Sequence, residues 1–506
     1  MKAGWLWLAM AAAGVAATAW LLWGTALPLG IPGEWTWVRL GWEADLPWNL
    51  VLTAPAAIAY LAAVFYGSRR LEFAGRAEAM TWVAGLGIAA FAWLWLVQEA
   101  GPTPQRLSKG PFVLFYPQSS GYFFKVRYES PALRPFLSGY EQLMAEGDVL
   151  HVGTHPPGLF LLFFGLRDAC QASPALTDLV LATQPESAQL ANESVVENSA
   201  ASHPPRSVTR SDLAALWLAY LLAQALVAGV VWPLYGLLRR TQTRPVAFLL
   251  AAFWPLVPAA AIFLPKSDAA YAGLAVAWLW CWLTAVDRES WGRAATAGAL
   301  AWCSLLCSLA FLPVFLMGAA AALLEPVWSA DRRSGWLRVA GLAAVSAMTF
   351  LLLTGLFWWA TDVNLFRVWL QNYRNHAGFY DQFPRSYLGW LLLNPPELLI
   401  AAGVPLCLLA VAGLAGLSRS GSRERALACG IAGVWGLLWL TGKNSGEAAR
   451  LWLPFMPWLA ILAGPAVRSL GASLAAPQRI LFLGLVLQML AQLLTVLRVG
   501  GFHFEG

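Results

Sequence analysis

Charge is what this chain of 506 residues has least of. Only 12% of its residues are charged, about half the share of an ordinary soluble domain. Set against 59% hydrophobic residues, that scarcity excludes a soluble globular enzyme. Lysine is rarer still, with five residues. The net charge of +6 is spread thinly over many short segments, so no basic face exists for nucleic acid. Of six cysteines, five (Cys281, Cys303, Cys307, Cys407 and Cys429) lie in apolar runs, and no CxxC occurs. That excludes a disulfide framework and a structural zinc site. Abundant alanine and the preference for arginine over lysine point to a GC-rich bacterial gene.

What is present is a series of apolar runs near twenty residues long, the length that crosses a bilayer as a helix. The 29 tryptophans suit membrane interfaces and a large packed bundle. The expected fold is an all-α polytopic membrane protein with about 13 transmembrane helices. They cover residues 5–25, 49–67, 78–98, 211–238, 246–264, 269–286, 294–309, 310–325, 339–360, 389–417, 426–441, 451–468 and 480–498. The first is read as a retained anchor rather than a cleaved signal, on its length and its tryptophans. With the N-terminus in the cytoplasm, the inside loops hold 17 basic residues, Arg239, Arg240, Arg332 and Arg333 among them. The short outside segments and the tail then hold 8, so the positive-inside rule supports this orientation. The expected location is the bacterial inner membrane, with the active face periplasmic or extracellular.

This topology divides the chain into two N-terminal spans (1–77), a central region (78–468) and a last span with an outer tail (469–506). The longest outside loop is 99–210. Its first part is aromatic and mixed in charge, as folded segments are. Its later part, 171–210, is rich in Ser, Pro, Asn and Glu and reads as a flexible insertion. Between them, His151-Val-Gly-Thr-His-Pro-Pro-Gly158 closes a polar loop and opens a short apolar helix. Thr154 is the expected N-cap, and Pro156 and Pro157 suit a first turn. A span at 156–166 would invert every later loop, so this helix is expected to be re-entrant or interfacial.

All five histidines fall outside in this topology. Charged groups at a membrane are costly and tend to be paired or functional. Three outer-face carboxylates, Glu129, Glu141 and Asp148, are candidates for the base that takes a proton from an acceptor hydroxyl. His151, His155, Lys266, Asp268, His376, Arg385, Glu447 and Arg450 are candidate substrate-binding groups, the cations suited to a departing phosphate. Simpler readings stand beside these. Glu129 and Glu141 solvate an amphipathic loop helix, Asp268 caps a helix, and Glu447 pairs with Arg450 at i, i+3. His151 and His155 are four apart, but the following prolines break the helix that would align them on a metal. No cofactor is expected, and a divalent metal is left open.

Four features resemble the GT-C superfamily of membrane glycosyltransferases, which includes protein O-mannosyltransferases and lipid A aminoarabinose transferases. A large outer loop ends in Thr154-His-Pro-Pro-Gly158, opening a short helix. Arg239-Arg240 ends the next span. Pro265-Lys-Ser-Asp268 sets an acid between two spans. Arg450-Leu-Trp-Leu-Pro454-Phe-Met-Pro457 opens a late one. The resemblance, over roughly residues 78–468, implies a GT-C-like fold with interfacial helices in its outer loop. It implies a polyprenyl-phosphate-linked sugar donor, a glycan, lipid or protein acceptor, and transfer beside the lipid bilayer. It also implies a carboxylate just ahead of a tyrosine in the first large outer loop. Here that place reads Ser119-Ser120-Gly121-Tyr122, with no acid, and Glu129 is the first substitute, with Glu141 and Asp148 behind it. Two other readings belong to different classes. A transporter or flippase of a lipid-linked envelope intermediate would place charges deep in the spans, whereas the run centres are nearly charge-free. A non-catalytic subunit of GT-C fold would tolerate the missing acid.

Overall fold

A computed structural model of the chain describes residues 2–150, 152–328, 332–470 and 475–502. It is helical nearly throughout. Gly30–Ile31 pairs with Trp35–Thr36, and Val38–Arg39 with Val499–Gly500, in two short antiparallel ladders. Among the described residues, eight helices are long and apolar enough to cross a bilayer: Gly4–Trp23, Leu46–Arg70, Arg76–Glu99, Arg210–Leu238, Ser267–Arg288, Leu309–Trp328, Gly335–Thr361 and Pro477–Val496. Tyr387–Ala402 and Val404–Ala415, bent by 113° at Gly403, make a ninth if they form one span. The protein is an all-α, multi-span membrane protein.

Four of the thirteen expected spans are not among these helices. Run 246–264 is interrupted at Pro255 and Pro258 into Arg244–Ala251, Trp254–Leu256 and Pro258–Ile262. Run 451–468 is interrupted at Pro454, Pro457 and Pro465. Run 294–309 is the 17-residue helix Trp291–Cys307. Run 426–441 belongs to Ser422–Leu440, whose first turn carries Arg423, Glu424 and Arg425. Proline removes a helix hydrogen bond, and in lipid the orphaned carbonyls need other donors. The last helix supplies them. Gln492 Nε2 donates to the carbonyls of Pro255 (2.9 Å) and Val257 (3.2 Å). Gln488 Nε2 donates to Ala402 (2.7 Å) and Leu256 (3.2 Å), and its Oε1 accepts the Leu406 N–H. Gly403 has φ +89°, and a Cβ there would lie 2.1 Å from Gln488 Nε2. Only glycine fits this bend.

Polar contacts sort the loops into two ends, as the expected topology has them. At one end Thr103 N–H bonds Glu43, Ser386 N–H bonds Glu34, and residues 38–39 pair with 499–500. At the other, arginine-rich end, Arg240 meets Asp287, Arg423 meets Glu325, and Arg468 meets Glu424.

The stretch 171–210 is not a flexible insertion. It folds as Pro174–Ala182 and Glu186–Ala201. Ser173 caps the first helix, Trp217 Nε1 donates to Thr183 Oγ1 (2.9 Å), and Ser187 Oγ donates to Glu99 (2.7 Å). Ala188, Ala191 and Val195 are buried at helical spacing. That apolar stripe is thin enough for the polar composition to hide it.

Candidate functional site

The first end of the molecule is organised on the N-terminus of Ser267–Arg288. Lys266 is its N-cap residue and Asp268 lies in its first turn, where the helix dipole favours negative charge. Lys266 is 6% exposed. Among the described residues its ammonium makes no hydrogen bond or ion pair, and neither does the Asp268 carboxylate, so Asp268 is not a helix cap. Lys109 holds the preceding turn: its buried Nζ donates to the carbonyls of Ala261 (2.8 Å) and Ile262 (3.1 Å).

Arg450 joins this pair from a tight loop. Gly442, Asn444, Gly446 and Glu447 all have positive φ, 53° at Glu447, a conformation that costs a non-glycine residue about 1 kcal/mol or more. The loop sets the Glu447 carboxylate on the Arg450 guanidinium, so the expected i, i+3 pair forms. It leaves Arg450 Nε buried without a partner among the described residues.

These groups feel one another. Burial and the neighbouring Arg450 pull Lys266 down to about 7, against Asp268 and Glu447. Burial also works against the charge on Arg450, but Glu447 and Asp268 outweigh it and raise the guanidinium above its ordinary value. Burial first, then Asp268, pushes the Tyr122 phenol well above its usual range. Tyr122 follows Gly121, at φ +76°, and its ring meets His155 edge-on, with centroids 5.7 Å apart.

The His155 loop is fastened from several sides. Asp148 accepts the N–H groups of Leu150 (3.0 Å), Val152 (2.8 Å) and Gly153 (3.2 Å). Tyr140 OH donates to the His155 carbonyl (2.7 Å), and Asn372 and Asn375 both donate to the Gly153 carbonyl. The helix Gly158–Ala172 starts with Pro157 as its N-cap residue. Thr154 is not the cap; its hydroxyl donates to the Leu150 carbonyl (2.7 Å). A Cβ at Gly158 would lie 2.5 Å from the Leu306 carbonyl, so glycine lets this helix start against the end of Trp291–Cys307.

The structure thus gathers His155, Lys266, Asp268, Glu447 and Arg450. It does not bring Glu129 and Glu141 to them. Glu129 pairs with Lys125 at 2.8 Å and is half-exposed. Glu141 accepts the Asn364 N–H (2.8 Å) and meets Arg367 (3.4 Å). Asp148 lies near Tyr122 but is engaged by its own loop. His376 is exposed at the end of Leu365–Ala377. Arg385 lies by Glu34 and Tyr380. His151 lies outside the described residues. Among the described residues, no group of three or more His, Cys, Asp or Glu is placed to hold a metal.

Glu397 was not among the expected site residues. Its Oε1 accepts from Ala449 N–H (2.9 Å), next to Arg450, and from Trp37 Nε1 (3.3 Å). Its Oε2 is buried without a partner among the described residues. It lines an otherwise apolar cleft of about 80 Å³, with Leu22, Leu29, Trp390, Leu393 and Ile400. A carboxylate inside the apolar run 389–417 was the signal that marked it.

No family model matches the chain, and no curated protein matches it. Among solved structures, it is similar to the crystal structure of the Archaeoglobus fulgidus oligosaccharyltransferase in complex with zinc and sulfate. The similarity is 16% identity with a TM-score of 0.34, over 58% of this chain and 44% of that one. The chain therefore spans less than half of that structure's length.

Proposed function

We propose that the protein is a glycosyltransferase. It moves a sugar from a polyprenyl-phosphate-linked donor to an acceptor hydroxyl on the outer face of a bacterial inner membrane. The observation that carries this reading is a carboxylate, Asp268, without a bonded partner among the described residues, grouped with the buried Lys266 and the part-buried Arg450. In this reading Asp268 replaces Glu129 as the base. It takes the acceptor's hydroxyl proton as that oxygen bonds to the anomeric carbon. The bond from that carbon to the phosphate oxygen breaks with inversion, and its electron pair leaves with the phosphate. Arg450 and Lys266 stabilise the charge that develops there. Tyr122 and His155 form the wall beside the reacting groups. The apolar cleft below Glu397 takes the first part of the carrier chain.

The test is release of polyprenyl phosphate. Purified protein in nanodiscs is given polyprenyl-phosphate donors carrying a panel of labelled sugars, with an envelope extract as acceptor. Labelled product should appear with stoichiometric free polyprenyl phosphate, and Asp268→Asn should abolish both. Absence of release across the panel by a well-folded protein overturns the reading.

A further inference from the structure

The helix Leu365–Ala377 carries three stripes along its surface, and the fold buries one of them. Leu365, Val368, Asn372 and Asn375 form the buried stripe. Its two asparagines hold the Gly153 carbonyl at 2.7 and 2.8 Å. Phe366, Leu370 and Tyr373 form the second stripe, at the i, i+4, i+7 spacing of one helix face, and each is at least half exposed. Arg367 and Arg374, seven apart, run beside it and are exposed as well. The helix contains no acidic residue. Arg367 meets Glu141 at 3.4 Å, and Arg374 makes no ion pair among the described residues. Asp362 and Asp381 lie beyond the two ends of the helix and are exposed.

The position of the helix says what covers the exposed stripes. It begins just after the span Gly335–Thr361 ends, and the Asn364 side chain starts it by accepting the N–H groups of Phe366 (3.0 Å) and Arg367 (3.3 Å). Trp369 fastens it beside the membrane helices. Its Nε1 donates to the Leu305 carbonyl (3.0 Å), in the last turn of Trp291–Cys307, and its ring stacks on Phe350 of the span at 5.6 Å. Leu352, Leu356, Trp358 and Trp359 of that span are exposed, as lipid-facing residues are, and tryptophans at a span's end mark the headgroup level. We infer that Leu365–Ala377 lies in the bilayer surface, with Phe366, Leu370 and Tyr373 at the acyl boundary and Arg367 and Arg374 on the phosphates of anionic lipids. An apolar stripe flanked by a basic one is the pattern of a helix lying in the membrane plane. Continuity with a lipid-facing span selects lipid over a protein partner. Two guanidiniums with no acid on their own helix select anionic headgroups, whose phosphates they can meet in two-point fashion. The inference concerns lipid binding and stands whether or not the Asp268 cluster transfers a sugar.

The test is hydrogen exchange, read by mass spectrometry, on the full-length protein in nanodiscs. One set of discs holds phosphatidylcholine alone, and the other is about one-third phosphatidylglycerol. Amides of the helix should exchange about tenfold more slowly in the anionic discs, the scale expected of two arginines at an anionic surface. Arg367→Gln combined with Arg374→Gln should erase that difference and leave exchange in the neutral discs unchanged. Phe366→Ser combined with Leu370→Ser should speed exchange in both. Benzoylphenylalanine in place of Phe366 should photo-crosslink to lipid in native membranes. If the arginine variant does not fold, added salt should remove the difference in the unaltered protein. Any of three results overturns the inference: equal exchange in the two discs, a difference that survives loss of both arginines, or crosslinking at Phe366 to another protein in place of lipid, which would make this face a protein interface.

Discussion

The two ends of one helix, Ser267–Arg288, treat charge in opposite ways. Its 22 residues span about 33 Å, from Lys266 and Asp268 to Asp287. At the Asp287 end the carboxylates Asp287, Glu289, Glu325 and Glu424 each find an arginine. Arg240 contacts both Asp287 oxygens (2.6 and 2.9 Å), and Arg423 closes on Glu325 (3.1 Å) and Asp287 (3.7 Å). Glu424 takes Arg468 and Gln242. At the Lys266 end the charges are grouped but only Glu447 and Arg450 are matched. Lys266 and Asp268 have no bonded partner among the described residues, and Arg450 Nε is orphaned. A buried polar group without a partner carries a desolvation cost of a few kcal/mol. A chain able to complete its pairing at one end and leaving it open at the other has a reason for the open end. In the proposed reaction, a ligand that brings an anion and a proton to give up would supply that reason.

Substitution at each end sharpens the contrast. Asp268→Asn should lower sugar transfer by about a thousandfold, within the range for loss of a general base. The thermal transition should move little, because Asp268 makes no hydrogen bond or ion pair among the described residues. Arg240→Ala should do the reverse. It leaves Asp287 and Glu325 without their buried partner, and a broken pair of this kind destabilises by about 3 kcal/mol. A denaturant or thermal melt of the two variants beside a transfer assay decides the matter. If Asp268→Asn melts like Arg240→Ala and transfers normally, the open end is only a second structural cluster.

Acidity gives the next effect in size. The folded protein holds Lys266 near 7, below the ordinary 10.5, with Arg450, Asp268 and Glu447 facing it. Between those values the unfolded chain binds more protons, so stability of the empty protein should rise with pH from about 7 upward. The penalty of the buried ammonium is fully present below 7. An anionic phosphate reverses the preference by favouring the protonated amine. Donor affinity should therefore strengthen as pH falls through about 7, and Lys266→Gln should flatten that profile. Binding of a non-hydrolysable polyprenyl-phosphate analogue at several pH values reads it. A slope that survives in Lys266→Gln assigns the titration to another group.

Much of this division was legible in the residues. Arginines crowd one set of loops, and the charges expected on the outer face include Lys266, Asp268, Glu447 and Arg450, the four that the fold brings together with His155. What was not legible depended on partners far away in sequence. Glu397 meets Trp37 across 360 positions, a contact no local pattern announces. Tyr122 was noticed for the acid missing before it, not for its burial beside Asp268. The prolines that divide the apolar run 246–264 into short helices were not weighed, because hydropathy does not register the carbonyls that Gln488 and Gln492 satisfy. The insertion at 171–210 was misread because three small apolar residues suffice to seat a helix on a neighbour already buried on most sides.

The smallest expected effect bears on the loop carboxylates. Glu129 was the natural substitute for an acid ahead of Tyr122, because it lies seven residues on and follows a tyrosine of its own. In the fold it closes a π-helical turn at Lys125–Glu129 and pairs with Lys125 while half-exposed. A solvent-exposed pair of this kind contributes about 0–0.5 kcal/mol. Glu129→Gln should therefore leave transfer within about twofold, a change near the free-energy scale of one such pair. Glu141→Gln should weaken the hold on the Asn364 N–H by about 1 kcal/mol and lower transfer only through loop order. The same labelled-donor assay ranks all three carboxylates. A collapse of transfer in Glu129→Gln with normal turnover in Asp268→Asn would move the base to the loop helix. The unpaired groups at the start of Ser267–Arg288 would then serve to hold the phosphate alone.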